Sequence, residues 1–88
     1  MSNARDCAIK CGTGIFQAFM REELQTVEHV DHIPEGATWT QIRDAQEAAR
    51  AVRFLLMVDS RREINDGQGA ERWNHLAGRF ELWKRDLL

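Results

Sequence analysis

Apolar residues recur at helical spacing through most of this chain, and nowhere does strand-like alternation run for more than a few residues. In the C-terminal stretch AERWNHLAGRFELWKRDLL, Trp73, Leu76, Ala77, Phe80, Trp83 and Leu87 share one stripe at about 100° per residue, which predicts an amphipathic helix over about 70–87. Lys84 falls inside that stripe and must lay its methylenes along it with the amine in water, while Leu82 points away from it. A second pattern, Ile42, Ala45, Ala49, Val52 and Leu56, follows the capping box T-W-T-Q at Thr38–Gln41 and predicts a helix over about 39–64, ending at Asn65-Asp66-Gly67. A third, Phe16, Phe19, Met20, Val27 and Val30, predicts a helix over about 14–31, capped by Thr13 and stopped before Pro34, with a short helical turn ahead of it.

These elements define one all-α domain over residues 1–88, a three-helix bundle or a helical hairpin with an additional N-terminal helix. Five consecutive apolar residues, Phe54 to Val58, leave no polar side on a continuing helix. That excess predicts completion by dimerisation, with Phe54, Leu55 and Val58 near the interface.

Composition narrows the function classes. At 88 residues the core is small, since a domain of this size buries only about 60 to 65% of its unfolded surface. With 43% hydrophobic and 30% charged residues and no low-complexity run, the chain is expected to fold. No apolar stretch approaches the roughly 18 residues of a membrane span, and MSNARDC lacks the basic and apolar segments of a signal peptide, so the expected location is the cytoplasm. A net charge of −2 argues against nucleic-acid binding by bulk electrostatics. Ten of the twelve basic residues are arginine, a composition that suits interfaces and that a GC-rich genome also produces.

Candidate chemistry is sparse. Cys7, Cys11, His29 and His32 read C-x3-C-x17-H-x2-H, which in outline resembles the two-cysteine two-histidine zinc finger, the one cofactor the chain suggests. The linker is too long, the histidines are one residue too close, and an intervening helix of about 27 Å would hold the two pairs apart. The plainer expectation makes Cys11 a small buried group and Cys7 part of a frayed terminus. Gly12-Thr13-Gly14 lacks the Lys-Ser/Thr ending of a phosphate loop. No nucleophile with an orienting partner accompanies the acids around His29, so no enzyme is expected.

Two surfaces are candidates for binding. Arg43, Arg50 and Arg61, flanked by Arg53 and Arg62, line one side of the second predicted helix and would serve nucleic acid, although Glu47 is spaced to pair with Arg43 as on a solvated face. Trp39, Arg79, Leu82 and Trp83 combine the residue types that anchor protein interfaces, and Trp39 is expected to be the most exposed of the three tryptophans. The resulting expectation is a small non-catalytic adaptor, regulator or inhibitor of the kind phages and mobile elements encode, acting on a larger protein partner. A nucleic-acid-binding regulator and a metal sensor are the alternatives.

Overall fold

A computed structural model describes residues 2–25 and 42–87. Within them the chain is all-α: α1 (Asn3–Cys11), α2 (Gly14–Gln25), α3 (Ala45–Leu56), a 3-10 turn (Arg61–Ile64) and α4 (Gly67–Asp86). The described residues contain no strand. No helix among them is long and apolar enough to cross a membrane.

The sequence accounts for where each helix starts. Ser2 caps α1 by accepting from the Arg5 amide at 3.1 Å. Thr13 caps α2, accepting from the Phe16 amide at 3.3 Å and donating to the Lys10 carbonyl at 2.7 Å. Asp44 caps α3 by accepting from the Glu47 amide at 2.8 Å. Asp66 stands at the N-cap of α4 without a side-chain cap bond.

The second predicted helix needs correction. Residues 42–44 are not helical, and α3 ends at Leu56 well short of residue 64. There Met57 adopts the left-handed conformation (φ 58°, ψ 46°), the Val58 amide donates to the Arg53 carbonyl at 3.0 Å, and the Met57 amide donates to the Phe54 carbonyl at 3.2 Å. This is a Schellman closure built without glycine. Its physical reason lies in the apolar run itself: a continuing helix would expose part of Phe54–Val58, whereas a turn after Leu56 brings Val58 back onto the core. The Thr38 capping box and the end of the first predicted helix beyond Gln25 lie outside the described residues. Asn65-Asp66-Gly67 does end a helical element at Ile64, with Asn65 as the C-cap of the 3-10 turn, and then leads directly into α4.

The core joins all the elements. Phe16, Phe19, Met20, Ile42, Val52, Ile64, Trp73, Leu76 and Phe80 are buried. An aromatic seam runs between α2 and α4, with Phe16 edge-on to Phe80 at 5.0 Å between centroids and Phe19 at 5.3 Å from Phe80 and 5.5 Å from Trp83. The Lys84 amine sits 5.2 Å over the Phe80 ring and 3.1 Å from Glu81, emerging from the stripe as expected.

The 3-10 turn is held from three sides. Within it, Glu63 accepts from the Ser60 and Asp59 amides at 2.7 Å each, completing a Ser60–Glu63 capping box. From α1, the Asn3 side chain donates to the Ile64 carbonyl and the Ala4 amide donates to the Asn65 side chain, both at 2.8 Å. From α4, Gly69 brings its backbone against Glu63 and Ile64 so closely that no side chain fits between them.

Candidate functional site: an arginine face

Two adjoining clefts open where α1, α3 and the 3-10 turn meet. The first, about 410 Å³, is lined by Ala45, Gln46, Ala49, Arg50, Arg53 and Arg61. The second, about 430 Å³, is lined by Ala4, Ala8, Arg53, Asp59, Ser60, Arg61 and Arg62. Arg53 and Arg61 line both and so join them. The alanines leave a shallow apolar floor, and guanidinium groups form the walls.

Three of the arginines on this face keep their charge open to solvent. Among the described residues, Arg53, Arg61 and Arg62 make no ion pair, whereas Arg43 pairs with Glu47 at 3.9 Å, as its spacing predicts, and lines neither cleft. The nearest acids are tied elsewhere or outnumbered: the Glu63 carboxylate is taken up by backbone amides, and Asp59 is the one acidic residue lining either cleft. Guanidinium groups without carboxylate partners, half-buried in the cases of Arg53 and Arg61, are matched by carboxylate or phosphate supplied from outside.

The face also reaches inward. Cys7 and Cys11 lie on the inner side of α1, each 0% exposed, with sulfurs 3.8 Å apart. The expected frayed position for Cys7 is therefore corrected: the bonds from Asn3 and Ala4 to the 3-10 turn tie down the start of α1 and carry Cys7 into the core. The Cys7 thiol pushes Cys11 down below its ordinary value by hydrogen bonding to it, and Arg61 and Arg53 act in the same direction. Cys7 moves the opposite way, raised by that same bond and by burial.

Other expected site residues are placed as follows. His29, His32 and Trp39 lie outside the described residues, and no group of three or more His, Cys, Asp or Glu side chains able to hold a metal ion occurs among the described ones. Phe54, Leu55 and Val58 pack, half-buried, against their own core, so the premise of a fully encircled helix behind the dimer expectation does not hold. On α4, Arg79 pairs with Glu23 at 2.6 Å, the half-buried Trp83 indole donates to Glu22, and Leu82 is 61% exposed. These contacts turn most of the α4 candidates into internal fastenings between α2 and α4. Periodicity on one assumed helix grouped the arginines but missed Ala4, Ala8 and the latch residues Asn3, Ser60, Glu63, Asn65 and Gly69 that set the face.

The fold and this surface describe a small all-α protein with a concave cationic face. No protein-family model matches the chain, and no curated protein and no solved structure is significantly similar to it.

Proposed function

We propose that the protein is a non-catalytic binding module of the cytoplasm that docks a carboxylate-rich segment of a larger protein onto the arginine face. The observation that carries this reading is the convergence of Arg53, Arg61 and Arg62, without ion-pair partners among the described residues, on an alanine-floored double cleft. Two considerations favour an acidic protein over nucleic acid. The net charge is −2, which opposes a polyanion beyond the immediate patch, and Asp59 stands inside the second cleft. A small cationic concavity suits a short acidic helix or loop, whose carboxylates accept bidentate bonds while its apolar residues cover the alanines.

The test is fluorescence anisotropy with a labelled glutamate-rich peptide and, separately, a labelled DNA duplex, using wild type and the Arg53→Glu/Arg61→Glu double variant. The peptide is expected to bind wild type and to lose about tenfold or more in affinity with the double variant, since reversal puts like charges in contact. Equal peptide binding by the two proteins overturns the proposal. Duplex binding that is tighter than peptide binding and falls steeply with salt transfers the face to the nucleic-acid reading.

A further inference from the structure

We propose that Cys7 and Cys11 form a peroxide-oxidisable dithiol whose disulfide can close only by distorting the last turn of α1, the helix that latches the arginine face. The two sulfurs are already in contact at 3.8 Å, against about 2.05 Å in a disulfide, with both side chains fully buried. The backbone is what resists. Residues four apart on a regular helix keep their Cβ atoms about 5 to 6 Å apart, and a disulfide requires about 3.5 to 4.5 Å. The bond therefore forms only if the turn ending at Cys11 gives way.

That turn is suited to yielding. α1 has nine residues, too few to be stable alone, and it is followed at once by Gly12, Thr13 and Gly14. Transient fraying there admits a molecule as small as hydrogen peroxide. Cys11 reacts first, because the hydrogen bond with the Cys7 thiol and then Arg61 and Arg53 favour its thiolate, while Cys7, raised by that same bond and by burial, keeps its proton.

The chemistry balances. The Cys11 sulfur attacks a peroxide oxygen, the O–O bond breaks, and the leaving hydroxide is protonated to water, giving the sulfenic acid. The Cys7 sulfur then attacks Cys11 Sγ, the S–O bond breaks, and the departing hydroxide takes the Cys7 proton as a second water. Two thiols are oxidised by two electrons and one peroxide is reduced to two waters. A dithiol reductant reverses the step by exchange. The consequence is that Cys11 moves off the Gln17 side chain of α2, now bonded to its carbonyl at 3.0 Å, and the distortion enters the same nine-residue helix whose other end holds the 3-10 turn through Asn3 and Ala4. Control of binding by this step rests on the arginine-face proposal, but formation of the disulfide does not.

The folded protein is treated with hydrogen peroxide, quenched, unfolded, alkylated and weighed. Expected is a monomer lighter by two hydrogens that takes up no alkylating agent, a loss of helical circular dichroism equal to about one turn, and recovery of both with dithiothreitol. Oxygen addition without loss of hydrogen, a disulfide between chains, or an intrachain disulfide with undiminished helix overturns the proposal. Two variants test the order of attack: Cys7→Ser leaves a sulfenic acid on Cys11 that dimedone traps, while Cys11→Ser leaves Cys7 unoxidised. Equal trapping in both overturns it. The glutamate-rich peptide is then titrated into reduced and oxidised protein, with weaker binding to the oxidised form expected. Equal binding to both forms removes control of the face, and binding to neither refutes the face itself while the mass result still decides the dithiol.

Discussion

Replacing Gly69 by alanine should unfold the protein far more readily than the same replacement at Gly78, although both glycines lie within α4. On helix propensity alone each change stabilises by about 1 kcal/mol. A Cβ at Gly78 meets nothing within 4 Å, so there the gain should appear. At Gly69 the new carbon would stand 2.0 Å from the Glu63 carbonyl oxygen, 2.8 Å from its carbon and 3.2 Å from Ile64 Cα, all backbone atoms that no rotamer change can move. Ordinary contact is about 3.5 Å, so the 3-10 turn must retreat by roughly 1.5 Å. It would do so against its bonds to Asn3 and Ala4 and would draw the fully buried Ile64 from the core. Overpacking of this kind costs about 1 to 3 kcal/mol, and loosening Ile64 adds to it, so the net loss after the propensity gain should be about 2 to 4 kcal/mol. That is a large share of the roughly 4 to 13 kcal/mol expected for a chain of this length.

Urea unfolding followed by tryptophan fluorescence reads the difference directly. With a slope near 1 to 1.5 kcal/mol per molar, the midpoints of the two variants should lie about 2 to 5 M apart, Gly78→Ala above wild type and Gly69→Ala below it. Coincident midpoints, or a Gly69→Ala midpoint at or above that of Gly78→Ala, would refute the close approach of α4 to the 3-10 turn and the account of how Arg61 is held.

Met57→Gly should stabilise by about 0.5 to 1 kcal/mol, because removing the side chain relieves the left-handed strain at φ 58° by more than glycine's added unfolded-state entropy costs; an unchanged thermal midpoint would count against the α3 closure. Asp44→Ala should cost about 1 kcal/mol by freeing the Glu47 amide, visible as a lower urea midpoint, whereas no loss would mean that α3 begins elsewhere. Alkaline titration should separate the cysteines. The folded Cys7 thiol is raised above its ordinary 9.0, so its contribution to stability is complete below that pH and is lost above it, as the unfolded chain sheds a proton that the fold retains, at roughly 1 kcal/mol for each pH unit. Cys11 is lowered, its contribution is complete above pH 9.0, and it therefore does not offset the decline. Urea midpoints at successive pH values above 9.0 should fall less steeply for Cys7→Ala than for wild type, and parallel curves would contradict the paired thiols.

Much of the fold was legible in local pattern. The stripe from Trp73 to Leu87 placed α4 to within a few residues, and Thr13 marked the start of α2. The second helix differs from its pattern because helical periodicity continues across punctuation that the sequence also carries: Asp44 three residues before Glu47, and Ser60 three before Glu63, both cap patterns. Met57 gave no such sign, since a methionine in the left-handed region has no local signature and is held there by the burial of Val58 and Leu56 around it. The arginine face was half legible. Spacing grouped the right side chains, but the surface depends on contacts between residues about sixty apart, Asn3 with Ile64 and Ala4 with Asn65, which no short window contains.

Those long-range contacts explain why the face can act as a preformed site. A four-residue 3-10 turn has poor hydrogen-bond geometry and little stability of its own. Here the Asp59 and Ser60 amides that lead into it are held by Glu63, its last carbonyl by Asn3, its C-cap side chain by Ala4, and its backbone by the close approach of Gly69. With the backbone fixed, Arg61 and Arg62 lose less freedom when a partner arrives than arginines on a free loop, and affinity rises by the ordering already done. Two of those four restraints come from the first turn of α1, and the cysteines occupy the same short helix. A covalent change at Cys11 therefore needs no separate transmitting element: the helix that shortens is the one that holds the arginines in place.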